Sequence, residues 1–200
     1  MNQVWNYGLP VPKEYLGIID LQFYYFAWVF GYYVDYIGIT PNMITLFGFF
    51  CNCITGYSIL YDKQWFFITL FLATVADTMD GYNARRFNKK SKFGALIDHG
   101  TDWMSATIII TCSVYRWYQY ISFYCIFAIL IYLEKQNIVY SGFIQEYNGS
   151  RDLLISAAFQ YEAGQNIHSM LIKYKEYNSS TLTFVIMFSL WAMQTITYYF

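Results

Sequence analysis

Apolar runs of about twenty residues, separated by short polar stretches, recur along most of this chain, and that spacing predicts helices that cross a membrane. Residues 42–60 are apolar apart from small polar side chains, with Pro41 suited to a first helical turn and Thr40 to its cap. Asp62, Lys63 and Gln64 end that run. A second helix is expected over 65–85, although Asp77 and Asp80 fall inside it. A basic loop follows, with Arg85, Arg86, Lys89, Lys90 and Lys92. A third span is expected over 93–115, again with two acids, Asp98 and Asp102, and Arg116 closes it. Residues 121–133 begin a fourth, and 181–200 form a clean apolar run. Residues 152–172 have helical periodicity but carry Glu162, Gln165 and His168, which leaves two readings: a fifth span facing the bundle interior, or a surface helix. Counting it as a span gives about six transmembrane helices. Residues 16–38 are rich in Tyr and interrupted by Asp20, Gln22 and Asp35, which predicts a helix lying in the interface. The expected organisation is an N-terminal segment, 1–38, with an amphipathic interfacial helix, followed by one transmembrane domain, 39–200. The fold class is an all-α polytopic membrane helix bundle. No internal repeat divides it.

Composition strengthens the membrane reading. Of 200 residues, 57% are hydrophobic and 12% charged, half of the roughly 25% charge usual in soluble domains. The 22 Tyr suit a membrane–water boundary, being apolar in body and polar at the tip. A net charge of −1 gives no footprint for nucleic acid. Cys51 and Cys53 are two apart on a helix and point to different sides, so the cysteines read as small apolar residues rather than metal ligands. No basic region and compact apolar core open the chain, so no signal peptide is expected. Five Lys or Arg lie in the 85–92 loop against Lys63 alone in the preceding one, which orients that loop toward the cytosol.

The acids inside the second and third spans change the picture from membrane protein to membrane enzyme. Charged groups in spans are rare because each costs several kcal/mol in hydrocarbon, and they mark function. Asp77 and Asp80 are three apart, Asp98 and Asp102 four apart, so each pair lies on one helical face. The short loop makes the two helices antiparallel neighbours. Four converging carboxylates repel unless protonated or neutralised by a cation, and all-oxygen ligation selects a hard metal, Mg²⁺ or Mn²⁺. Gly81, Ala84 and Gly94 let the helices approach closely and leave room for a ligand. Arg85, one turn past Gly81, suits bidentate contact with a phosphate or diphosphate. Lys89, Lys90 and Lys92 fit anionic lipid headgroups and equally a plain topogenic loop. Asn148-Gly149-Ser150 and Asn178-Ser179-Ser180 match glycosylation sequons, a pattern common by chance.

Asp77-x-x-Asp80-Gly81-x-x-Ala84-Arg85, followed after eight residues by Gly94-x-x-x-Asp98-x-x-x-Asp102, resembles without departure the signature of the CDP-alcohol phosphotransferases. Thr40-Pro41-Asn42-Met43-Ile44-Thr45-Leu46-x-Gly48 resembles the start of the first core helix in the eukaryotic choline and ethanolamine enzymes. Ala84-Arg85-Arg86-x-Asn88 and Asp98-His99-Gly100-x-Asp102 lean to the same branch. Chain length, Phe93-Gly94-Ala95 and Thr101-Asp102 lean instead to phosphatidylinositol synthases. The resemblance covers about residues 18 to 116.

That resemblance implies a six-helix core, and a phospholipid-synthesis enzyme. Asp77, Asp80 and Asp98 would hold the metal against the donor's diphosphate. Asp102 would be the general base, also touching metal. Gly81, Ala84, Arg85 and Gly94 would line the CDP pocket, with Asn42 or Thr45 meeting the cytidine. His99 is an alternative base, since Asp98 could orient it and its ordinary pKa suits proton transfer, but on a helix it points about 100° away from Asp98. His168, alone in its segment, reads as a solvated or hydrogen-bonded histidine. The leading expectation is transfer of a phosphoalcohol from CDP-choline or CDP-ethanolamine to diacylglycerol with release of CMP. The alternatives are a CDP-diacylglycerol-dependent phosphatidyltransferase acting on a polar alcohol such as inositol or glycerol phosphate, and an inactive relative serving as a membrane scaffold. Expected partners are the CDP-linked donor, the lipid or alcohol acceptor, membrane lipids and a second copy in a homodimer. The expected location is the endoplasmic reticulum or a related endomembrane, with the active site facing the cytosol.

Overall fold

The computed structural model describes residues 8–147, 166–177 and 179–199. Among these, all regular structure is helical. A 3-10 turn at Lys13–Tyr15 precedes α1 (Ile18–Tyr36), α2 (Pro41–Leu60), α3 (Phe66–Arg86), α4 (Lys92–Trp117), α5 (Ile121–Tyr147), α6 (Ile167–Tyr174) and α7 (Ser179–Tyr199). Six of them have 19 residues or more. The helical fold class expected from the sequence is what the chain adopts.

Local chemistry sets the boundaries. The Thr40 hydroxyl accepts the Met43 N–H at 3.4 Å and Pro41 occupies the first turn of α2. The Ser91 hydroxyl accepts the Gly94 N–H at 2.9 Å and starts α4. Three helices end in one way, on a residue in the left-handed region. Gly38 (φ 83°) follows α1, Asp62 (φ 53°) follows α2, and Asn88 (φ 55°) follows α3. In each case the next N–H reaches back five residues: Ile39 to the Val34 carbonyl, Lys63 to Ser58, Lys89 to Ala84.

The helix begun at 121–133 runs on to Tyr147, because Glu134, Lys135 and Gln136 are charged or polar but good helix formers. The helix expected over 152–172 lies outside the described residues as far as 165. Its described remainder opens α6, eight residues whose Leu171 and Tyr174 are buried. Both sequons have their Asn outside the described residues. By length and composition, α2 and Ile121–Ile144 could each cross a membrane. α3 and α4 have the length, at 21 and 26 residues, and carry the aspartates.

α2 forms the spine, with α3 and α4 each packed along it. Small residues make this close approach. A Cβ on Gly48 would lie 3.2 Å from the Ala76 Cβ of α3 and 3.5 Å from the Ala73 carbonyl. A Cβ on Gly56 would lie 2.6 Å from Ile108 and 3.2 Å from Cys112, both on α4. The buried Thr55 and Thr69 hydroxyls bond across α2 and α3 at 2.8 Å. α5 and α7 pack together, with Ser122 near Met193. At that end Ile59, Phe66, Trp117 and Phe123 form one buried cluster. At the other end, where the motif lies, Tyr15, Leu16, Tyr140, Phe143 and Leu171 form another, joining the N-terminal segment to α5 and α6.

The Gly48 contact predicts that Gly48→Leu destabilises the bundle, because Ala76 is too short to move aside. Overpacking of this kind costs roughly 1–3 kcal/mol. The thermal midpoint of the detergent-solubilised protein should fall by several degrees, while Leu46→Ala, on an exposed face of the same helix, should leave it nearly unchanged.

Candidate active site

α3 and α4, each packed along α2, bring Asp77 of one helix together with Asp98 and Asp102 of the other. One oxygen from each of Asp77, Asp98 and Asp102 lies within 4.8 Å of the other two. Asp77 and Asp102 are exposed to the cleft between the helices and Asp98 is half-buried. Asp98 Oδ1 is buried with no hydrogen-bond partner. An unpartnered carboxylate oxygen is costly in an apolar bundle, and its two acidic neighbours raise the cost further. A hard divalent cation would neutralise all three groups, and the donors are all oxygens. The residues present therefore fit a hard divalent cation such as Mg²⁺ or Mn²⁺.

Asp80 is treated differently. Its side chain is 5% exposed, and Thr45 Oγ1 donates to its Oδ2 at 2.5 Å. The same hydroxyl lies 3.1 Å from the Pro41 carbonyl. Asp80 thus faces α2 with one oxygen, beside the trio rather than within it. Of the ligands implied by resemblance, the structure brings Asp77 and Asp98 together with Asp102. It places Thr45 on Asp80, one helical turn into α2.

The other expected pocket residues border this centre. Asn42 Oδ1 lies so close to Gly94 that a Cβ there would be 2.8 Å away, so a side chain at Gly94 would displace the Asn42 amide from the start of α4. Arg85 folds back along its own helix over Gly81, with Nη1 3.2 Å and Nη2 3.5 Å from where a Gly81 Cβ would be. Ala84 is half-buried in the same turn and its carbonyl takes the Lys89 N–H. His99 is exposed and accepts the Trp103 indole N–H on Nε2 at 3.1 Å. It is turned along α4 toward Trp103, and the acidic group forms without it. His168 Nδ1 is 2.8 Å from the Tyr15 hydroxyl, so it is hydrogen-bonded at the N-terminal segment, away from the aspartates.

Sequence reading missed the residues around Arg85. Its Nε donates to the Gly8 carbonyl at 2.7 Å, and the Tyr24 hydroxyl hydrogen-bonds the same guanidinium. α1 grips the rest of this turn as well. Asn83 donates to the Gly31 carbonyl at 3.2 Å, Arg86 to the Trp28 carbonyl at 3.1 Å, and Lys89 to Asp35 at 2.6 Å. One signal was available. Ala27 and Gly31 are small residues four apart on a helix otherwise crowded with aromatics, a pattern that lets another helix approach.

Comparison with known proteins places these features. The profile of the family described as CDP-alcohol phosphatidyltransferase matches residues 38–199. The chain is similar to CDP-diacylglycerol–inositol 3-phosphatidyltransferase 1 of Arabidopsis thaliana, with 33% identity over 78 residues, 38% of this chain and 34% of that one. It is similar to cholinephosphotransferase 1 of Gallus gallus, 33% identical over 84 residues, 36% of this chain and 25% of that one. Similarity to CDP-diacylglycerol–glycerol-3-phosphate 3-phosphatidyltransferase of Cereibacter sphaeroides is 31% over 120 residues, 58% of this chain and 52% of that one. The matches thus span from a quarter to about half the length of these relatives. No solved structure matches. With the profile covering α2 to α7, this chain belongs to the CDP-alcohol phosphatidyltransferase family, a family of membrane-integral transferases of phospholipid synthesis.

Proposed function

We propose that this chain transfers a phosphoalcohol from CDP-choline or CDP-ethanolamine to diacylglycerol and releases CMP. The observation that carries the chemistry is the meeting of Asp77, Asp98 and Asp102 from two helices, with a buried oxygen of Asp98 unpartnered. A bound Mg²⁺ or Mn²⁺ would supply charge neutralisation at the donor diphosphate. Asp77 and Asp98 would hold it from α3 and α4, with Asp80 beside them and Thr45 fixing Asp80. The Arg85 fork over Gly81 would bind the diphosphate bidentately. The acceptor hydroxyl oxygen attacks the phosphorus distal to cytidine, and the bond to the CMP phosphate breaks with its electron pair leaving on CMP. The hydroxyl proton goes to Asp102. Gly94, held against Asn42, keeps the pocket floor open for the nucleotide.

The choice of donor rests on two supports. The chain resembles cholinephosphotransferases in its first core helix and at Asp98-His99-Gly100. Against glycerol phosphate, an acceptor that carries its own phosphate, stands the engagement of Arg86 and Lys89 by the Trp28 carbonyl and Asp35. A second reading, transfer of phosphatidyl from CDP-diacylglycerol, is favoured by the Cereibacter relative, which aligns over 120 residues. The basic 85–92 loop supports an active site facing the cytosol of an endomembrane.

Membranes containing the chain, assayed with each labelled CDP donor, should incorporate label from CDP-choline or CDP-ethanolamine into lipid. Incorporation from CDP-diacylglycerol alone would establish the second reading, and none from any donor would leave only the inactive scaffold. Chelation should abolish turnover and Mg²⁺ or Mn²⁺ restore it. Asp102→Ala should reduce CMP release by at least 10²-fold, the usual range for losing an acid–base group, while membrane insertion persists; normal turnover would remove Asp102 from the base role. Thr45→Val leaves the buried Asp80 without its donor, which costs about 1–3 kcal/mol. It should lower the thermal midpoint, and Thr45→Ser should restore it.

A further inference from the structure

We propose that the segment before the family's matched region completes the donor site: the Gly8 carbonyl and Tyr24 position Arg85 for the donor diphosphate. The inference rests on the reading of Arg85 as a diphosphate ligand. It concerns residues 8–36, all of them upstream of the match that begins at residue 38.

A guanidinium has five N–H donors in a rigid fork, and with Nε occupied its two terminal amines remain as a bidentate edge that suits a diphosphate. Free in a cleft, a long Arg side chain samples many rotamers and must lose that freedom on binding. Here one contact selects the rotamer without spending the edge. The Nε hydrogen goes to the Gly8 carbonyl at 2.7 Å, which turns Nη1 and Nη2 over Gly81, the residue next to Asp80. Tyr24 closes the other side. Its hydroxyl bonds the guanidinium, and its ring lies 6.2 Å from that of Tyr82, so α1 packs against the turn of α3 that carries Arg85.

Both partners are anchored independently of Arg85. Gly8 sits flat on the ring of Tyr82, which is fully buried, and any Cβ there would collide with that ring. The strap then runs to Tyr15, whose carbonyl accepts the Tyr140 hydroxyl at 2.5 Å and whose own hydroxyl meets His168 at 2.8 Å. Tyr24 is carried on α1, and α1 is bolted to α3 by Asn83, Arg86 and Lys89. Gly31 cannot bear a side chain without striking the Asn83 amide. The arginine is therefore held by two elements fixed at their far ends, which is what pre-organisation of a ligand-binding group requires.

The test uses Tyr24→Phe and, separately, deletion of residues 2–9, each in the otherwise full chain. Loss of one charge-assisted hydrogen bond should raise the donor KM and the Kd for CMP with metal, read by calorimetry, roughly tenfold. The acceptor KM and kcat should stay near those of the parent. In an Arg85→Ala background neither change should have further effect on CMP affinity. A merely structural role would lower kcat and folded yield together and spare the donor KM. An unchanged donor KM in both variants, or effects that multiply with Arg85→Ala, would overturn the proposal. Failure of the underlying functional reading shows separately, as absence of both CMP release and CMP binding in the unaltered chain.

Discussion

Carboxylates placed inside an apolar bundle must each be answered by a partner, and the architecture of this chain is organised around that requirement. Asp80 is answered by the Thr45 hydroxyl at 2.5 Å. Among the described residues, Asp77, Asp98 and Asp102 converge to within 4.8 Å with no cationic side chain in an ion pair with any of them. A fold that buried these groups for stability would pair each with a hydrogen bond, as it pairs Thr55 with Thr69. With no partner of its own, Asp98 Oδ1 is open to a cation or substrate.

The rest of the molecule supports that arrangement by fixing α3 and α4 relative to α2. Gly48 and Gly56 lie on two sides of one helix and admit one neighbour each. The motif end of α3 needs more, because Asn83, Arg85 and Arg86 bring polar groups there that require hydrogen-bond acceptors. α1 and the strap ahead of it supply these acceptors as backbone carbonyls of Gly8, Trp28 and Gly31. Carbonyls suit the task, since they hold cations and amides without adding negative charge beside an already acidic site.

Much of this was readable from sequence where the signal is local. The expected helices at 42–60, 65–85 and 93–115 correspond to Pro41–Leu60, Phe66–Arg86 and Lys92–Trp117, because caps and breakers sit at the boundaries themselves. The pairing of carboxylates on helical faces was likewise a matter of spacing. What spacing could not reveal were partners far apart in the chain. The tie of Thr45 to Asp80 spans 35 residues, and Gly8 gave no sign of Arg85, 77 residues away. The helix begun at 121–133 continues to Tyr147 because Glu134 and Lys135 propagate a helix readily.

The cap at Ser91 has a consequence for how the motif can change length. Since the Ser91 hydroxyl sets where α4 begins, the angular phase of Asp98 and Asp102 is counted from that residue. One residue inserted between Ser91 and Asp98 would swing both carboxylates by about 100°, off the cleft and onto another flank of the helix. The same insertion between Asn88 and Ser91 would lengthen a turn and leave the phase intact. Insertions and deletions are thus tolerable on one side of a single serine and ruinous on the other, so the rigid part of the spacer is the part that is already helix.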